Sequence, residues 1–253
     1  MCSSNNYSLV FYVSSVLSVA KYAFQHSRTI NAEEPTVNCT ASLFKRRRFL
    51  LAGLSLPFFV ACSRSPKAAV VPRGATVLAF GDSVTFGTGA RPGEDWPTLL
   101  AAASGWRIVN AGIPGDTAEA GRGRIAGLLQ EHRPALVIVE IGGNDFLRRR
   151  SQKAVKEDIR AILAAIRGAG VAALLIAAPE PSLLAAVAGR PSDAPIYAEL
   201  AREEKVPVIE DVFSDILAKP EWRADPVHPN AAGYREMAER LAQAMRKLGV
   251  LAG

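Results

Sequence analysis

Five short runs of aliphatic and β-branched residues, at 76–80, 106–109, 136–141, 172–177 and 206–209, recur through the second two-thirds of the chain. They show little alternation of apolar and polar positions, the pattern of strands buried on both faces. Between them the spacing becomes helical. The clearest case is 152–167, where Val155, Ile159, Ile162, Leu163 and Ile166 share one face behind Ser151, a side chain suited to cap a helix start. A last helix is predicted behind Asn230, with Met237, Leu241, Met245 and Leu248 on one face and Gly249 as its stop. Strands alternating with helices need crossover connections and so a parallel sheet, giving a three-layer α/β/α sandwich of about five strands. The segment 179–195 carries Pro179, Pro181, Pro191 and Pro195 and reads as an irregular loop with a short helix at 183–187. A loop of that length usually shapes a pocket.

Composition narrows the picture. With 253 residues and 49% hydrophobic content the chain can build one sizeable core and needs no second domain. Four of the six net positive charges fall within 1–61, and the remainder is too small to argue for a nucleic-acid partner. Lys45-Arg46-Arg47-Arg48 ahead of the apolar run 49–61 reads as the basic and hydrophobic parts of an export signal, too short to span a bilayer. The run ends at Phe59-Val60-Ala61-Cys62, which is similar to a bacterial lipobox, in which the cysteine thiol is acylated and becomes the new N-terminus. Arg46-Arg47-Arg48-Phe49-Leu50 is also similar to a twin-arginine signal, and ordinary cleavage without a lipid is the other reading. Residues 1–44 do not fit an export signal and read as an over-extended or disordered start. The expected organisation is therefore 45–62 as signal, 63–75 as a short linker and 76–250 as the folded domain. Cys2, Cys39 and Cys62 all lie at or before the proposed processing point, so the body contains no cysteine and forgoes disulfides. The spacing of Cys2 and Cys39 matches no zinc pattern.

The candidate chemistry begins at Gly81-Asp82-Ser83, directly after the first strand-like run, where open α/β sheets keep their reactive groups. Gly-Asp-Ser is also a good turn sequence. Three more blocks arrive in order: 110–117 (Asn-Ala-Gly-Ile-Pro-Gly-Asp-Thr) after the second run, Gly142-Gly143-Asn144-Asp145 after the third, and Asp225-Pro226-Val227-His228-Pro229-Asn230 before the last helix. Together the four blocks resemble the SGNH hydrolase family, also called the GDSL esterases and lipases, in its lysophospholipase, arylesterase and thioesterase I branch. The resemblance covers roughly 76–248. It implies the flavodoxin-like strand order 2-1-3-4-5, an acyl-enzyme mechanism, and neither metal nor cofactor.

A serine hydroxyl needs a base, and histidine is the side chain whose ordinary pKa lies nearest working pH. Of three histidines, His26 lies in the excluded start and His132 at a helix end, where a solvated or dipole-facing ring is expected. That leaves His228 as base for Ser83. Asp225, three residues earlier, is placed to hold the imidazole in the useful tautomer. Three donors are expected for the oxyanion: the Ser83 N–H, the Gly115 N–H, where a missing side chain allows close approach, and the Asn144 amide. Only the family pattern selects Gly115 over Gly112. The block is not the Gly-x-Ser-x-Gly elbow, because Thr85 stands two residues after the serine, and Val84 replaces the family's leucine.

Rival readings exist. Gly87-Thr88-Gly89 hints at a phosphate-binding loop, but no Gly-x-Gly-x-x-Gly or Gly-Lys-[Ser/Thr] accompanies it. A non-catalytic envelope-binding lipoprotein would be expected to have lost Ser83, Asn144 or His228. Arg148-Arg149-Arg150 reads either as a solvated loop or as a site mouth that attracts an anionic headgroup, and Glu140 as a structural buried carboxylate. The expected protein is an exported, lipid-anchored serine hydrolase. It would act on small-molecule acyl esters or lipids (lysophospholipids, aryl or short-to-medium acyl esters, thioesters), with an envelope polysaccharide deacetylase of the same family as the alternative.

Overall fold

Val77, Leu78, Ala79 and Phe80 are completely buried and form the body of β1 (Thr76–Gly81), as the lack of alternation requires. The structure, a computed structural model, describes residues 70–180 and 191–252. β1 pairs in parallel with β2 (Arg107–Gly112) on one side and β3 (Leu136–Glu140) on the other. β4 (Ala172–Ile176) pairs with β3. Two-residue strands β5 (Pro179–Glu180) and β6 (Ser192–Asp193) make a small antiparallel pair at the ends of the proline-rich loop, whose residues 183–187 lie outside the described residues. β7 (Val208–Ile209) closes the sheet beside β4, giving the order β2-β1-β3-β4-β7, which is the expected 2-1-3-4-5.

Helices cover both faces. After β1 come α1 (Ser83–Phe86) and α2 (Trp96–Ser104); α3 (Ala118–His132) joins β2 to β3; α4 (Gly143–Leu147) and α5 (Gln152–Gly168) join β3 to β4. Then follow α6 (Ile196–Glu204), α7 (Val212–Ala218) and α8 (Ala231–Leu248). α5 packs against α3 and α6 in one layer, and α8 against α2 and α7 in the other. The predicted stripe of α5 is wholly buried, and Ser151 caps it by accepting from Ala154 N. Asn230 and Gly249 bound α8 as expected, Asn230 Oδ1 accepting from Gly233 N at 3.0 Å. His132 ends α3, its ring beside the exposed Glu131.

Several boundaries differ from the sequence expectation, and four of them have a clear local reason. Trp106 is not in β2: its ring is buried and its Nε1 donates to Val71 O at 3.2 Å, so the strand begins one residue later. β2 then runs on to Gly112 because it pairs with β1 residue by residue as far as Gly81. The last strand is shorter, since Pro207 has no N–H and contributes only a carbonyl, which accepts from Leu175 N at 2.9 Å. The packed unit also starts upstream of Thr76: Val71 is buried and its N–H bonds Val250 O at 2.9 Å.

The chain leaves β1 toward β2 on one side and returns across it to β3 on the other. The crevice at the carboxyl ends of β1 and β3 is therefore the switch point where doubly wound sheets bind ligands. At the opposite ends of the strands a cavity of about 240 Å³ is lined by Val71, Leu136, Ala172, Val206 and Val250, with Arg167, Glu204 and Lys205 among its polar residues. Among the described residues no helix is long and apolar enough to cross a membrane.

Candidate active site

Asp82 converts the end of β1 into a one-turn helix. Its Oδ1 accepts from Val84 N at 3.0 Å, and its carbonyl from Phe86 N at 2.9 Å. Ser83 is thus the first residue of α1, largely buried at the switch point, with Val84 packed beneath it. Tight packing under the turn explains Gly112: a Cβ there would lie 2.2 Å from Phe86 N.

The Asp225–His228 loop meets this turn from α8. His228 Nε2 lies 2.9 Å from Ser83 Oγ, and His228 Nδ1 lies 2.7 Å from Asp225 Oδ2. The other Asp225 oxygen accepts from Val227 N and His228 N, both at 2.8 Å, so carboxylate and ring form one folded unit. Burial of Asp225 opposes its charge, but the bonds from the His228 ring and the two amides outweigh it and hold the carboxyl below its ordinary value. Asn230, the cap of α8, clamps the loop by donating from Nδ2 to Glu221 O at 2.9 Å and Arg223 O at 3.2 Å. Tyr234 OH donates to Thr88 O at 2.7 Å, tying the same helix to the nucleophile loop.

The expected oxyanion donors stand on three neighbouring strand ends. Among the described residues, neither Ser83 N–H nor Gly115 N–H has a protein acceptor. Gly115 has a left-handed φ of 79°, a conformation that favours glycine, and an added Cβ would meet no protein atom nearer than Arg148 Nη2 at 3.9 Å. Asn144 lies inside α4, and its Nδ2 donates to Asp82 Oδ2 at 3.1 Å and to Asp116 O at 3.0 Å. Both of its amide hydrogens are engaged in this state, so an oxyanion would share one of them as a second acceptor.

Several supports carried no signal that sequence reasoning used. Arg124 donates from Nε to Asp116 Oδ2 at 2.8 Å, from Nη1 to Ala111 O at 2.9 Å and from Nη2 to Gly81 O at 2.8 Å, while stacking on Phe80. It fastens the ends of β1 and β2 to the Gly115 loop. Asp145, fully buried, accepts from Ala118 N at 2.8 Å and Arg150 Nη1 at 2.5 Å, fixing α3 to α4. Asp116 and Asp145 stood inside the quoted blocks without a role; nothing local marked Arg124. Of the three arginines 148–150, Arg148 and Arg149 are exposed, whereas Arg150 is paired with Asp145 and Asp158.

Behind the serine lies a pair of buried acids. Burial pushes the Asp82 carboxyl up to about 6, against the bonds from Val84 N–H and Asn144 and the charge of His228. Glu140 is completely buried, accepts from Thr85 Oγ1 at 2.8 Å, and is pushed well above the carboxylate range by burial and then by the Asp82 charge. Both shifts favour the protonated acid.

A serine hydroxyl beside an imidazole that is itself bonded to a carboxylate, with unspent N–H groups nearby, is a constellation suited to acyl transfer. Residues 79–236 match the model of the GDSL-like Lipase/Acylhydrolase family. The chain is 33% identical over 178 residues to the thioesterase 1/protease 1/lysophospholipase L1 of Escherichia coli K12, covering 68% of this chain and 84% of that protein. It is 29% identical over 202 residues to an arylesterase of Vibrio mimicus, covering 77% and 97% respectively. The crystal structure of AlinE4, an SGNH-hydrolase family esterase, is 30% identical and superposes with a TM-score of 0.54 over 70% of this chain and 97% of that one. The chain belongs to the GDSL-like lipase/acylhydrolase family and is a carboxylic ester hydrolase of the SGNH type.

Proposed function

We propose that Ser83 is the nucleophile of this ester hydrolase, His228 its general base and acid, and Asp225 the carboxylate that orients the ring. The observation that carries this reading is the unbroken relay from Ser83 Oγ through His228, 2.9 Å away, to Asp225, a further 2.7 Å from the ring. As Ser83 Oγ attacks the ester carbonyl, His228 Nε2 takes its proton. The Asp225 carboxylate holds the Nδ1 hydrogen and stabilises the imidazolium. The carbonyl oxygen becomes an oxyanion within reach of Ser83 N–H, Gly115 N–H and the Asn144 amide, each such donor supplying about 2.7 to 4 kcal/mol of transition-state stabilisation. Collapse expels the alcohol, which leaves with the proton from His228, and water then attacks the acyl-enzyme by the same route in reverse.

The substrates we infer are acyl esters of broad range, from aryl and short acyl esters to lysophospholipids and thioesters. Two of the relatives, named as a lysophospholipase and an arylesterase, support that range. Exposed Phe86, Ile113 and Leu147, on the segments that leave β1, β2 and β3, favour an acyl chain over an acetylated sugar. Export with acylation at Cys62 rests on the basic and apolar run 45–62, which lies outside the described residues. An organophosphonate ester tests the site: it should label the wild type at Ser83 alone, and Ser83→Ala should fold normally without turnover. Normal turnover in Ser83→Ala would end this assignment.

A further inference from the structure

The described residues leave four large apolar side chains exposed, and three of them stand on the segments that leave β1, β2 and β3: Phe86, Ile113 and Leu147, at 55%, 48% and 50%. Phe86 ends α1 after β1, Ile113 follows β2, and Leu147 ends α4 after β3. Since β2, β1 and β3 are neighbours, the three side chains border the crevice from successive strand ends. No packing in the core accounts for them there. Apolar groups clustered at a polar site read as ligand surface.

Arg148 follows Leu147 directly. Its Nη2 donates to Gly115 O at 3.0 Å, and its own N–H bonds Asn144 O at 3.0 Å. Through Asp116 O and Asn144 the same network reaches Asp82, the neighbour of Ser83. The guanidinium is exposed and, among the described residues, pairs with no carboxylate; the bond to Gly115 O uses one Nη2 hydrogen, leaving the other Nη2 hydrogen together with Nε and Nη1 without a protein acceptor, so one two-donor edge stays open. Arg150 and Arg124, by contrast, spend their charge on Asp145, Asp158 and Asp116. An uncompensated guanidinium with a free pair of donors matches a phosphate or carboxylate.

We propose that Arg148 is a specificity-determining residue that recognises an anionic group on the ester substrate, while Phe86, Ile113 and Leu147 take its alkyl chain. The preferred substrate is then a single-chain amphiphile carrying a phosphate close to the scissile ester. This rests on ester hydrolysis at Ser83 and adds to it a selection by charge. Gly115 O holds one edge of the guanidinium in place, so the fork is ready before the substrate arrives.

The experiment compares two esters with the same acyl chain and the same scissile bond, 1-lauroylglycerol 3-phosphate and uncharged 1-lauroylglycerol, each below its micellar concentration. Wild type should prefer the phosphate-bearing ester in kcat/KM. Arg148→Gln, which can keep the bond to Gly115 O without the charge, should cut that preference about tenfold through KM, in the range of a lost charged hydrogen bond. Arg148→Lys should recover part of it, and added salt should erode the wild-type preference. Arg149→Gln removes the same charge one residue on and should leave the ratio within about twofold. A lauroylglycerol carrying a carboxylate in place of the phosphate tells which anion is favoured. Hydrolysis of the uncharged ester shows the catalytic assignment intact in every variant. Equal wild-type rates on both esters, or an Arg148→Gln loss that falls equally on both through kcat, would overturn the proposal and leave Arg148 a support of the Gly115 loop.

Discussion

Asn144 Nδ2 donates to Asp82 Oδ2 at 3.1 Å, which ties the amide expected at the oxyanion to the residue beside the nucleophile. The bond joins the ends of β1 and β3 across the switch point, and Asp116 O, at 3.0 Å, brings in the loop after β2. Asn144→Ala should therefore lower kcat by about a hundredfold to a thousandfold with little change in KM, because an oxyanion bonds this donor more strongly than the ground-state carbonyl does. Steady-state kinetics on a p-nitrophenyl ester decide it. A raised KM at unchanged kcat would make Asn144 a substrate-binding residue instead.

Arg124 holds three chain segments with one guanidinium, through Gly81 O, Ala111 O and the Asp116 carboxylate. A lysine keeps the charge but cannot fork. Arg124→Lys should cost about 2 kcal/mol in denaturant unfolding, from hydrogen bonds lost at partly buried acceptors. It should also lower kcat, since the Gly115 loop loses its brace. Wild-type stability with wild-type kcat would show the brace to be dispensable.

Glu140 and Asp82 make stability depend on pH in a defined direction. Both carboxyls are raised in the folded state, Asp82 to about 6 and Glu140 well above the carboxylate range. Their contribution to stability is complete below the ordinary carboxylate pKa and is lost as pH rises through the folded values, because the unfolded chain gives up these protons more readily. The melting temperature should fall between pH 5 and pH 8. Glu140→Gln, an uncharged mimic of the protonated acid that can still accept from Thr85, should flatten that fall and gain on wild type at pH 8. An unchanged slope would mean that Glu140 is not the group responsible.

How far the sequence could be read follows from the range of the interactions. β1, β3 and α5 were legible because burial on two faces, or on one stripe, writes itself into every residue of the element. The candidates Ser83, Asn144, Asp225 and His228 could be picked out because the four family-like blocks stand at strand ends or a helix start, and the structure brings these blocks to one end of the sheet. The supports were not. Arg124 acts on Gly81 O from 43 positions away, and a backbone carbonyl leaves no side-chain signal for such a partner. Only the family pattern separated Gly115 from Gly112, because a need for positive φ and a need for space look alike in a sequence; the structure gives Gly115 the positive φ and crowds Gly112 with protein atoms.

An enzyme anchored by a lipid on Cys62 would face in a defined direction. The described chain begins beside Val71, whose N–H bonds Val250 O at 2.9 Å at the amino ends of the strands, the end of the sheet opposite Ser83. From position 62 to 70 even a fully extended chain reaches only about 29 Å. A domain of this size is roughly 40 Å across by the usual scaling of compact chains. A lipid on Cys62 would thus hold the crevice away from the membrane that carries it. Labelling with a palmitate analogue should mark the wild type in the membrane fraction, while Cys62→Ala should remain an unmarked precursor. The labelled enzyme in vesicles should hydrolyse a soluble ester, or a lysolipid supplied from outside, faster than the same lysolipid in its own bilayer. Inserting about 20 flexible residues before Val70 should remove that difference. A labelled enzyme that already favours its own bilayer would place the anchor or the crevice elsewhere, and absence of label would reduce the claim to ordinary secretion.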